Sequence, residues 1–190
     1  TGINTVPVVS TVGTNFVACT SSFNARGEMK FSPDGKRVAI NNNGIGTVAN
    51  SDMLSVFDFD NMTGLVSNEI SLPAERGGFG ISFSPDNTKL YGATWKAFSF
   101  TSNDSNTVFQ FDLSSGNPTT IANSKVILFS ALSSTQNFGA VKLAPNGKIY
   151  FAGTQKTKHL HIVQHPDVAG AACMFEQHAL ELPAWQDRVI

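Results

Sequence analysis

One turn, repeated three times, constrains this chain more than any other feature. Ser32-Pro33-Asp34-Gly35-Lys36 recurs as Ser84-Pro85-Asp86-Asn87-Thr88-Lys89 and again as Ala144-Pro145-Asn146-Gly147-Lys148, the three starting 52 and then 60 residues apart. Before each turn, Met29/Phe31, Ile81/Phe83 and Val141/Leu143 alternate with Lys30, Ser82 and Lys142, the period of a strand with one apolar face. After each come the apolar-rich runs Arg37 to Ile40, Lys89 to Gly92 and Lys148 to Phe151. Pro33, Pro85 and Pro145 fix their own φ and donate no ladder hydrogen bond. The following Asp34-Gly35, Asp86-Asn87 and Asn146-Gly147 tolerate positive φ. Each copy is therefore a hairpin whose turn residues are structural.

A second motif keeps the same phase. Val56-Phe57-Asp58-Phe59-Asp60 begins 24 residues after Ser32, and Val108-Phe109-Gln110-Phe111-Asp112 begins 24 after Ser84. Both end in a glycine-closed turn that leads to a fourth strand, near Ser67 to Leu72 and Lys125 to Phe129. In the third copy Leu160 to Val163 and Ala179 to Leu182 take these places. Four strands per unit at this period predict an all-β chain, a β-propeller of four-stranded antiparallel blades. The blades span 27–76, 77–136 and 137–183. Residues 1–26 are the end of a preceding blade and a connector, with Val6 to Val12 as one extra strand, and 184–190 form an exit linker. No convincing helix is seen. Three blades and a strand do not close a ring, so the chain is expected to be part of a larger one, completed by other blades of the same large polypeptide.

Composition narrows the function classes. A net charge of −1 with 14% charged residues gives no basic footprint for nucleic acid. The longest apolar run, Val126 to Phe129, is too short to cross a bilayer. The 15 Phe outnumber Tyr and Trp together, lie mostly in the expected strands, and suit packing between blades.

The polar residues offer few constellations. All four histidines fall within 20 positions, and alternation puts His159 and His161 on one strand face with His165 in the following loop; the spacing matches no zinc pattern, so no metal is assigned and the three stay weak candidates. Asp58, Asp60, Asn61 and Thr63 resemble part of a calcium loop, but Met62 and the lack of a distal Glu favour a side-chain-bonded turn. Cys19 and Cys173 are the only cysteines, and their pairing is left open. No G-x-S-x-G nucleophile motif occurs, no catalytic residue stands out, and no cofactor is called for. Long insertions between second and third strands are the natural recognition loops, which makes Trp95, Phe98 and Phe100 the candidate binding aromatics.

The runs Gly27 to Ala39, Val56 to Asn68, Phe79 to Tyr91 and Leu143 to Tyr150, with His165-Pro166-Asp167 through Cys173 to Pro183, resemble a propeller of large Bacteroidota proteins. Many of those are secreted or cell-surface proteins with gliding-motility-associated or type IX sorting domains. The resemblance implies an extracellular or surface location, the secretion machinery as a partner during export, and an extracellular protein or glycan as ligand. It transfers no catalytic residue. The expected function is a non-enzymatic binding, adhesion or spacer module. A propeller hydrolase of lactonase or glycosidase type, with carboxylates around a central channel, is the alternative.

Overall fold

The computed structural model describes residues 6–13, 27–42, 53–73, 77–95, 105–132, 137–153 and 157–186. They form three four-stranded antiparallel sheets, each a meander in chain order. The first sheet holds β1 (Gly27–Phe31), β2 (Arg37–Asn42), β3 (Met53–Phe59) and β4 (Val66–Leu72). The second holds β5 (Gly78–Phe83), β6 (Lys89–Thr94), β7 (Ser105–Asp112) and β8 (Val126–Leu132). The third holds β9 (Phe138–Leu143), β10 (Ile149–Gly153), β11 (Thr157–Val163) and β12 (Phe175–Gln186). The sheets meet in series through their first strands, β1 against β5 and β5 against β9.

The repeated turn shows why its residues recur. Ser32 Oγ donates to Asp34 Oδ1 at 2.6 Å and accepts from the Arg37 N–H at 2.9 Å. Ser84 does the same for Asp86 and Lys89, again at 2.6 and 2.9 Å. The left-handed position is filled by Gly35, Asn87 and Gly147, at φ 67°, 66° and 77°. The turns also join neighbouring sheets. The Asp34 N–H donates to Asn87 Oδ1 at 3.1 Å, and the Asp86 N–H donates to Asp167 Oδ1 at 3.0 Å.

Two cores lie between the sheets. Ala39, Leu54 and Val56 of the first pack on Ile81, Phe83, Leu90, Phe109 and Phe111 of the second. Tyr91, Ala93 and Val108 of the second pack on Phe138, Val141, Ile149, Phe151 and Val163 of the third. On the opposite face of the first sheet Val38 and Phe57 are buried, but the part that β1 contributes has no such cover among the described residues. Met29 and Phe31 are 57% and 50% exposed, whereas the equivalent Ile81 and Phe83, under the first sheet, are 0% and 2% exposed. That face has the composition of a sheet-to-sheet interface.

Two expectations need correction. Residues 6–13 form no strand, although Ser10 Oγ accepts from the Val66 N–H at 2.9 Å and Gly13 lies against Phe57; alternating valines supply the pattern of a strand but not a partner ladder. A helix, α1 (Pro118–Asn123), is present where none was foreseen. Asn117 caps it by accepting from the Thr120 N–H at 3.0 Å, Pro118 opens its first turn, and Ile121 is its buried anchor in the first core.

Candidate active site on the inner strands

The first strands β1, β5 and β9 are edge strands, so each carries backbone N–H groups without a ladder partner on its inner side. One side chain crosses from β1 to meet this need on β5. Glu28 Oε2 accepts from the Ile81 N–H at 2.9 Å, and Glu28 Oε1 pairs with Lys30 Nζ at 2.6 Å. The Glu28 side chain is 19% exposed. In the other two repeats its place is taken by Gly80 and Ala140, which leaves Glu28 as the one carboxylate among the three inner strands. Gly80 is itself required, because a Cβ there would run into the Gly139 carbonyl and Val141 of β9.

Asn41 is the cross-strand partner of Glu28 in the β1–β2 register, so the two side chains share the face turned toward the second sheet. Asn41 is 1% exposed, and its Nδ2 has no protein hydrogen-bond partner among the described residues. Its amide leans on Gly78 so closely that a Cβ at Gly78 would collide with it. Glu28, Lys30 and Asn41, with Gly78 against the Asn41 amide, thus form one polar group on the inner seam between the first two sheets. It combines a carboxylate able to take a proton, an ammonium able to face a developing oxyanion, and a free amide donor. Asn42 Nδ2 is also unpaired and buried, but alternation directs it to the opposite face of the first sheet, away from Glu28.

The residues singled out by sequence lie elsewhere. Trp95 is half-buried, with its ring edge-on to Phe79 at 5.6 Å and its backbone N–H donating to the Gly77 carbonyl at 2.7 Å, so it packs against the start of β5. Phe98 and Phe100 lie outside the described residues, as does Cys19. Cys173 is a free thiol, fully buried, and burial pushes its pKa up. Asp60 accepts from the Met62 N–H at 2.9 Å and from Thr63 Oγ1 at 2.8 Å, turn bonds that hold its carboxyl below the usual range. Its oxygens serve the turn.

The histidines regroup. His165 is exposed in the loop after β11, while His178 joins His159 and His161, with ring centroids 5.1 and 5.0 Å from theirs. Register shifts between β11 and β12 and a left-handed backbone at His178, φ 52°, bring it there, a placement that residue spacing could not show. His161 is fully buried, and burial, then His178 and His159, push its pKa down to about 4. No group of three or more such side chains is gathered to hold an ion among the described residues.

No protein-family model and no curated protein matches the chain. Solved structures do match. A periplasmic gluconolactonase of Pseudomonas aeruginosa aligns with a TM-score of 0.52 at 16% identity, over 84% of this chain and 44% of its own. A gluconolactonase of Xanthomonas campestris aligns with a TM-score of 0.49 at 12% identity, over 87% of this chain and 50% of its own. The fold is a partial β-propeller. At such identities the likeness concerns the fold, and the chain spans half or less of these propellers' length.

The expectation of a non-enzymatic binding, adhesion or spacer module is corrected here: the Pseudomonas aeruginosa structure that shares the fold is a gluconolactonase, which matches the lactonase alternative instead. That expectation rested on the repeat and on the resemblance to exported propellers, which transfers no catalytic residue. Hydrolysis of an activated ester needs one placed base rather than a ring of them, and a propeller can supply it from a single blade. Glu28 is inconspicuous in the sequence because it falls where the repeats differ. The signal that could have found it is that difference itself, the position where three otherwise matched inner strands read Glu, Gly and Ala.

Proposed function

We propose that this propeller arc belongs to a hydrolase that opens lactone rings, with Glu28 as its general base. The observation that carries the reading is the single inner-strand carboxylate, held by Lys30 and the Ile81 N–H at the seam of two blades. The likeness of fold to a periplasmic gluconolactonase supports the class of substrate.

In this reading Glu28 takes a proton from water as the water oxygen attacks the lactone carbonyl. The tetrahedral oxyanion faces the Lys30 ammonium, and its collapse breaks the ring C–O bond. The leaving alkoxide recovers the proton from Glu28, so water and lactone give one hydroxy acid with no other reactant. A general base is worth roughly 10²–10⁴ in rate. The test is proton release from glucono-δ-lactone by the complete polypeptide, beside a glycoside control. Saturable lactone opening that falls at least about 100-fold in Glu28→Gln supports the reading; glycoside cleavage alone, or equal rates in both proteins, refutes it.

We also propose that the ring is completed by further blades of the same polypeptide, the first of them covering Met29 and Phe31. The motif resemblance to exported Bacteroidota propellers supports a place in a large secreted or surface protein that meets the type IX machinery during export. No helix among the described residues is long and apolar enough to cross a membrane. The intact mass of the native protein, set against the 20.3 kDa of this chain, tests the first point. A sorting domain in that polypeptide tests the second.

A further inference from the structure

Asn41 poses a problem that the fold alone does not solve. A fully buried amide with an unpaired Nδ2 is costly, and native proteins tolerate one only where water, an ion or a ligand satisfies it. The chain goes out of its way to keep it there, since Gly78 must lack a side chain for the Asn41 amide to fit. An apolar residue of similar volume would serve a purely packed seam better.

The register explains what the amide faces. Asn41 stands directly opposite Glu28 on the same sheet face, with Cβ atoms roughly 5 Å apart in such a pair. Glu28 spends one lone pair of each oxygen on Lys30 and the Ile81 N–H, which leaves acceptor capacity on both. A donor on one side and a carboxylate on the other are the partners that a buried water requires.

We infer that Asn41 Nδ2 and the Glu28 carboxylate hold a buried water between them, and that this water is the nucleophile of the lactone opening. The second clause rests on the functional reading above; the first does not. The bound water accepts a hydrogen bond from the amide, donates one to Glu28, and keeps a lone pair for the carbonyl carbon. Asn41 is then a positioning residue. It acts through the water and exchanges no proton itself.

Diffraction from crystals of the complete protein, with kinetics on the same variants, tests this. Wild type is expected to show a water within hydrogen-bond distance of both Asn41 Nδ2 and Glu28, absent in Asn41→Leu. Asn41→Leu is expected to lower kcat about 10–100-fold with KM nearly unchanged and to displace the acid limb of the pH–rate profile. Asn41→Ser, which can still donate to water, is expected to restore part of the rate. The inference fails if no water bridges the pair, or if Asn41→Leu keeps the wild-type kcat and pH profile while Glu28→Gln is inactive. Were the wild type to open no lactone, the functional reading would fall, and the bridging water would still be decided by diffraction.

Discussion

Removing one oxygen atom at Tyr91 tests how the second and third blades are joined. Tyr91 is fully buried; its hydroxyl donates to the Pro166 carbonyl at 2.8 Å and accepts from Gln110 Nε2 at 2.6 Å. Gln110 extends the network, with Nε2 also donating to the Val168 carbonyl at 2.8 Å and Oε1 accepting from the Gly170 N–H at 2.7 Å. Three of these side-chain bonds thus pin the loop after β11 onto β6 and β7, and the fourth ties Gln110 to Tyr91. Tyr91→Phe keeps the ring but deletes two of them, and it strands the buried Pro166 carbonyl. A lost neutral bond is worth about 1 kcal/mol, and an orphaned buried carbonyl adds about as much, so the cost is roughly 2 kcal/mol. For a domain of this size that lowers Tm by roughly 4–8 °C.

The pH dependence gives a second readout of the same substitution. Burial, reinforced by Cys173, raises the Tyr91 phenol far above its ordinary value. The unfolded chain ionises near pH 10 while the folded one does not, so the stability Tyr91 contributes is present below about pH 10 and lost as pH climbs past it. Urea unfolding of wild type and Tyr91→Phe at pH 7 and at increasing alkalinity measures both effects. A loss under about 0.5 kcal/mol at pH 7, or an unchanged alkaline slope, would refute the assigned role of the network.

Three further outcomes are expected. Asp167 is raised by burial and by the neighbouring Asp86, while Asp86, despite burial, is pulled down to about 2 by Ser84 and Thr88. Asp167→Asn keeps an acceptor for the Asp86 N–H, as Asn87 does for Asp34. It should raise stability at pH 7 by about 0.5 kcal/mol or less, this being an exposed pair, and the gain should vanish as pH falls through the raised Asp167 value. His161 titrates near 4 when folded and about 6.5 when unfolded, so its contribution is lost as pH falls below about 6.5, by roughly 2 kcal/mol at pH 4.5. His161→Phe, placed between Phe138 and Phe175, should flatten that acid limb in thermal melts. Gly80→Ala pushes a methyl into β9 and should cost roughly 1–3 kcal/mol in denaturant unfolding; a neutral result would show that the inner strands are more loosely apposed.

What could be read from the residues was what is local. The turns are specified by hydrogen bonds within six residues, as Ser32 with Asp34 and Arg37 shows, and the strands by alternation against them. Helix α1 was signalled only by Asn117-Pro118; at six residues it is too short for a helical period to emerge. Val6 to Val12 failed for the converse reason, because alternation says nothing about whether a ladder partner exists. The active-site candidates were hidden more deeply. Glu28 looks like one polar residue on an alternating strand until β5 is brought beside it. Asn41 becomes unusual only when Gly78, 37 residues later, buries it. His178 reaches His161 through bulges that shift the register, which composition cannot encode.

The central claim is that one carboxylate on the innermost strand of the first blade turns a structural repeat into a hydrolase. The rate of lactone opening by the complete polypeptide, for wild type and for Glu28→Gln at matched thermal stability, tests it most directly. The account expects a saturable wild-type reaction and a fall of at least about 100-fold in the variant. An equal rate in two equally folded proteins, or none in either, would contradict it.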